Sequence, residues 1–119
     1  MRLTNSFRIG ALFWLFSGPV LATSEASISF DQGKALAKKS VCLGCHQVDA
    51  KRVGPGFTQV AERYRDQPGA AAYLVQIIHK GGRGKWGAIP MPAQNQVSDE
   101  QAKALAQWIL ALEPESDAK

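Results

Sequence analysis

Cys42-Leu43-Gly44-Cys45-His46 is the segment of this 119-residue chain whose residue types and spacing can do chemistry. It reads C-x-x-C-H, the attachment signature of a c-type haem. Two thiols on one helical turn can add to the two vinyl groups of one porphyrin, and the adjacent imidazole then lies beneath the iron as its proximal ligand. Leu43 and Gly44 leave room for the ring to approach the backbone. Other uses of these residues fit less well. A redox C-x-x-C pair wants a βαβ surrounding, and no strand-like alternation runs anywhere in the chain. A tetrahedral zinc site wants four ligands. After residue 22 the candidates are Cys42, Cys45, His46 and His79, and Cys45 and His46 are awkward neighbours for one ion. A plain disulfide leaves His46 unexplained.

If His46 is proximal, the sixth iron position is either open or filled by a second side chain. Met91 is the thioether candidate, because the other methionine, Met1, begins a segment that reads as cleaved. It sits in Ile89-Pro90-Met91-Pro92, where prolines on both sides fix the backbone and hold one side chain in a set place. A lone methionine is often a filler of core gaps; the flanking prolines and the lack of a rival thioether favour ligation here. His79 falls off the apolar stripe of its helix and reads as a surface or rim histidine. Met/His ligation raises the potential. It also leaves the iron nowhere to bind substrate, so the group would pass electrons.

Four helical patterns position these residues. The first runs over about Asp31–Ser40, with Gly33, Leu36, Ala37 and Val41 on one face. The second spans about Phe57–Tyr64 and the third about Ala70–Lys80, which stops at Gly81-Gly82. The fourth opens on the capping box Ser98-Asp99-Glu100-Gln101, carries the stripe Leu105, Trp108, Ile109 and Leu112, and is expected to stop at Pro114. Between the third and fourth lie 17 residues, Gly81–Val97, rich in Gly and Pro and without regular pattern. A structureless segment of that length inside a small domain calls for a functional reason.

The length fits one domain and excludes a two-domain enzyme. Two cysteines exclude a many-disulfide scaffold, and 45% apolar residues exclude disorder. Much of that apolar content lies at the N-terminus. Arg2 and Arg8, the run Ile9–Phe16, Ser17-Gly18-Pro19 and Val20-Leu21-Ala22 form a secretory signal with its cleavage site. The run is short for a bilayer span, which takes about 20 residues; retention as an anchor is the competing reading. The domain boundaries are therefore 1–22, signal, and 23–119, exported domain. After residue 22 only 26 apolar residues larger than alanine are left to form a core. So thin a core suits a domain built around a bound group. Loss of Arg2 and Arg8 lowers the formal charge from +4 to +2, which removes the case for nucleic-acid binding. Export places the domain in a compartment that permits disulfides.

Cys42–His46, Val53-Gly54-Pro55, Trp86-Gly-Ala-Ile-Pro-Met91-Pro and Val97-Ser-Asp-Glu100 with Trp108 together resemble the small bacterial class I cytochromes c of the c-551/c-552 (c8) type. The resemblance covers roughly Phe30 to Leu112. It implies an all-α class I cytochrome c fold, about four helices around one covalent haem c, and periplasmic electron transfer. It further implies that the Pro55 carbonyl accepts the Nδ1–H of His46, that Trp86 reaches a haem propionate, and that Gly33 is where the first helix touches Trp108. The segment Pro92–Val97 looks one residue longer than in the shortest members, which leaves open whether Gln94 or Asn95 would bond the methionine sulfur.

Lys34, Lys38, Lys39, Lys51, Arg52, Lys80, Arg83 and Lys85 flank the motif and the long loop, whereas Glu113, Glu115 and Asp117 gather in the tail. A basic ring around an exposed haem edge would steer acidic redox partners; an ordinary solvated surface reads equally from the same residues. The expectation is a soluble monomer with no stable membrane insertion. It would shuttle one electron from an upstream quinol-oxidising complex to a nitrite reductase, a terminal oxidase or a cytochrome peroxidase, and would break no substrate bond. An enzyme or ligand sensor in which Met91 is displaced is the alternative of a different class.

Overall fold

The computed structural model describes residues 27–114. The segment 1–22 read as a signal, and Glu115 and Asp117 of the tail, lie outside the described residues. Four helices follow in order: α1 (Phe30–Lys39), α2 (Phe57–Tyr64), α3 (Ala70–Lys80) and α4 (Asp99–Leu110), with a short 3-10 turn at Cys42–Gly44 between the first two. Among the described residues the only extended pairing is one isolated antiparallel bridge, Gly82 to Met91. No described helix is long and apolar enough to cross a membrane.

Local chemistry sets the helix ends. Helix α1 begins one residue before the expected Asp31 because Ser29 caps it. The Ser29 hydroxyl accepts from the Gln32 amide at 3.2 Å, and the Gln32 side chain accepts from the Ser29 amide at 2.9 Å. This is the reciprocal capping box. The helix stops at Lys39, and Ser40 closes it on the Leu36 carbonyl at 2.9 Å. Val41 therefore does not extend the apolar face, as its spacing suggested. It turns into the left-handed region, at φ 64° and ψ 9°, and its side chain is 68% exposed. A β-branched residue in that region is a steric outlier; here it redirects the chain into the cysteine turn. Helix α4 has the expected box at Ser98 and Gln101 but ends at Leu110, before Pro114 can act. Ala111 closes the last turn on Gln107 at 3.1 Å. Arg65 then takes the Leu112 carbonyl at 2.5 Å and pairs with Glu113.

Helix α4 is the hub, packing on α1, α2 and α3. Its buried face is Ala102, Leu105, Ala106, Trp108 and Ile109, with Leu112 buried just past its end. Alanines on this face let the neighbouring helices approach closely, and the larger residues supply the burial, about 1.5–3 kcal/mol for each large side chain. Gly33 meets Trp108 as the resemblance implies: a Cβ there would stand 2.2 Å from indole Cγ and Cδ1. Phe57 meets Trp108 edge-on at 5.5 Å between centroids, and Phe30 lies 6.2 Å away.

Candidate metal centre

Between the cysteine turn, α2, α3, α4 and the 81–97 segment lies a cavity of about 480 Å³. Its walls are mostly apolar: Phe57, Val60, Leu74, Ile77, Ile78, Leu105 and Ile109. Cys42, Cys45, His46, Pro55, Trp86 and Met91, the six site residues expected from the sequence, all line it. His79 does not. Its side chain, 27% exposed, sits with Nε2 3.1 Å from Asp99 Oδ1, at the junction of α3 and α4.

The attachment segment is built as one tight turn. Cys45 N–H and His46 N–H both donate to the Cys42 carbonyl, at 3.1 and 3.0 Å. Both thiols are free; Cys42 is half-buried and Cys45 exposed. Burial, partly opposed by a backbone hydrogen bond, pushes the Cys42 thiol up.

The imidazole of His46 is fixed on three sides. Its Nδ1 lies 2.8 Å from the Pro55 carbonyl oxygen, an acceptor, so Nδ1 carries the proton and Nε2 keeps its lone pair for a metal. Phe57 stacks on one face, with centroids 5.0 Å apart and planes 18° off parallel. Gly54 lies against the ring so closely that a Cβ would fall 2.5 Å from Cε1. The intervening loop is tied back by Gly54 N–H to the Cys45 carbonyl at 2.8 Å. The first amides of α2, which no helical carbonyl can satisfy, find Gln47 and Val48 instead: Phe57 donates to Gln47 at 3.0 Å and Thr58 to Val48 at 2.9 Å.

Met91 is placed by a clasp. Gly82 and Met91 exchange both backbone hydrogen bonds, at 3.0 and 2.8 Å. Gly81, at φ 75°, ends α3 in a conformation that favours glycine, and a Cβ on it would meet the Met91 carbonyl at 2.4 Å. Beyond Pro92, Gln94 N–H returns to the Ile78 carbonyl at 2.9 Å. Gln94 lines the cavity and Asn95 does not, so of the two amides Gln94 is the one on the side of Met91. Its Nε2 donates to the Pro92 carbonyl and its Oε1 accepts from Gln96, both at 2.8 Å.

Trp86 stands at the mouth, 37% exposed, edge-on to Tyr64 at 6.3 Å. The Arg63 guanidinium lies 4.6 Å from its ring centroid, and Nη1 donates to the Lys85 carbonyl at 2.6 Å. Sequence reasoning did not single out Arg63; a cation on an exposed helix face carries no signal of a partner 22 residues away. Arg83 and Lys85 of the expected basic ring line the cavity. Lys51 lines a more open groove of about 560 Å³ outside Pro55 and Trp86.

The donor set fits a covalently held haem: two thiols on one turn, an imidazole with a free Nε2, a thioether from a separate segment, and apolar walls between. The family model for Cytochrome c matches residues 30–113, nearly the whole described region. The chain belongs to the cytochrome c family. It is 48% identical to cytochrome c-552 of Hydrogenobacter thermophilus over 93 residues, covering 78% of this chain and 93% of the relative. Cytochrome c-552 of Nitrosomonas europaea is 47% identical over 100 residues, covering 83% and 95%. The crystal structure of the wild-type Nitrosomonas europaea protein superposes with a TM-score of 0.66 at 51% identity, covering 67% of this chain and 99% of that one. This cytochrome c thus has the class I fold, carries one covalently attached haem c and serves as a monohaem electron carrier.

Proposed function

We propose that the chain is a soluble periplasmic carrier, exported by residues 1–22, working as the 23–119 monomer between a quinol-oxidising complex and a nitrite reductase, terminal oxidase or cytochrome peroxidase. Cys42 and Cys45 hold the haem as thioethers, and His46 and Met91 are its proximal and distal axial ligands. The observation that carries this reading is the convergence of those four side chains on one apolar cavity. When bound, the group supplies a one-electron iron couple.

The protein's part is to bind, orient and exclude water. The Pro55 carbonyl polarises and aims His46 through Nδ1. The clasp at Gly82 sets Met91, and Trp86 closes the mouth with its indole N–H available to a propionate. With both axial positions taken by side chains, no substrate need enter, which supports a carrier over a ligand sensor. The test is Met91→Ala. The wild-type ferric protein should show a thioether-to-iron charge-transfer band that survives modest cyanide. The variant should lose the band, bind cyanide readily and have a lower reduction potential. A band that persists in the variant refutes the distal assignment.

A further inference from the structure

The segment between the clasp residues Gly82 and Met91 is weakly held by its own backbone. Among the described residues, only one hydrogen bond reaches the main chain from 83 to 90, the one from Arg63 Nη1 to the Lys85 carbonyl. The Lys85-Trp86 pair sits between Gly84 at φ 76° and Gly87 at φ 121°, glycines with open space where a Cβ would be. Apart from the edge contact of Trp86 with Tyr64, neither glycine packing nor backbone stiffness fixes the tip. Arg63 does more than donate one bond: its guanidinium lies over the Trp86 ring at 4.6 Å and 5.6 Å from that of Tyr64. A planar cation that bonds and stacks at once is what arginine supplies and lysine does not.

We propose that Arg63 is a positioning residue that latches the 83–90 loop onto α2, holding Trp86 over the cavity and limiting how often the loop opens beside Met91. This rests on the reading of Met91 as the distal ligand and adds a control on access to it. An external ligand that needs the loop open binds with an apparent affinity reduced by the open fraction. Loss of one charge-assisted bond and one exposed cation–π contact should raise that fraction about three- to thirty-fold.

The test uses the ferric holoprotein and imidazole, a nitrogen donor that competes with a thioether. Arg63→Met keeps an unbranched apolar stem and removes both the donor and the charge; Arg63→Lys keeps a charged donor. Arg63→Met should bind imidazole about three- to thirty-fold more tightly than wild type. Arg63→Lys should fall between the two and serves as the readout if Arg63→Met fails to fold. Imidazole affinity within twofold of wild type in both variants overturns the proposal, as does a lowered urea midpoint with unchanged imidazole affinity. Failure of the ligand assignment would look different: Met91→Ala would keep the charge-transfer band whatever Arg63 does.

Discussion

The contact between Gly33 and Trp108 allows the sharpest test of how the helices are fitted together. Gly33→Ala adds one methyl group in mid-helix, a change that in isolation favours the helix by about 1 kcal/mol. The structure reverses that sign. The new Cβ would lie 2.2 Å from Cγ and Cδ1 of Trp108, where ordinary contact begins at 3.4 Å, so α1 and the indole must separate by about 1.2 Å. The ring cannot swing away cheaply. It is 3% exposed, with Phe57 against it, and its Nε1 makes no hydrogen bond, so packing alone holds it. Overpacking of this kind costs about 1–3 kcal/mol. With a rigid aromatic neighbour the upper end applies, leaving a net loss of about 2 kcal/mol after the helix gain. At a slope near 1 kcal/mol per molar urea, the midpoint should fall by roughly 2 M. Trp108→Leu in the same background should cost less than the sum of the single losses, since the two sites are in contact. A Gly33→Ala midpoint equal to or above that of wild type would refute this account of the α1–α4 contact.

Two further outcomes follow from single residues. Val41→Gly should relieve about 1–2 kcal/mol of left-handed strain and give back about half in unfolded-chain entropy, for a net gain near 0.5–1 kcal/mol and a Tm roughly 3–6 °C higher by calorimetry; a lower Tm would mean that the exposed isopropyl group is needed. Glu100 is held below its ordinary value of 4.5, first by a backbone hydrogen bond and then by the Ser98 side chain and the nearby Lys103. A depressed carboxyl contributes stability above the unfolded value and loses it as pH falls through the folded one. Glu100→Gln should therefore lower urea stability slightly at neutral pH, converge with wild type at low pH, and so flatten the decline below about pH 4.5; an acid limb as steep as that of wild type would refute it.

What could be read in the sequence was what local chemistry determines. The helices announced themselves through 3.6-residue stripes and the Ser98 box. The same signal stood at Ser29 and Gln32 and would have put the start of α1 at Phe30. Cys42, Cys45, His46 and Met91 could be singled out because attachment imposes a fixed pentapeptide and because only one thioether was available, whereas Pro55 and Trp86 came from the family resemblance; all six line the cavity. Three features were not legible. Val41 looked like one more stripe position, since periodicity cannot see that a helix has already ended. The clasp at Gly82 and Met91 is a single bridge with no alternation to betray it. Arg63 and Lys85, like His79 and Asp99, are brought together only by the fold, so no local pattern marks either pair. The thin apolar inventory was a correct reading of the interior, whose walls face a cavity shaped for a prosthetic group.

The three-sided seating of His46 bears on speed. A carrier that gains and loses one electron at every encounter is slowed by each bond length and each dipole that must change with its charge. An imidazole that cannot tip, because Gly54 and Phe57 hold its faces, and cannot turn, because Pro55 holds its Nδ1, has little left to rearrange. The amides of Phe57 and Thr58 anchor the start of α2 to the carbonyls just after that histidine, which ties the helix to the histidine turn. On the proposed reading of His46 as the proximal ligand, low nuclear reorganisation is what a glycine, a proline carbonyl and a phenylalanine ring would give it.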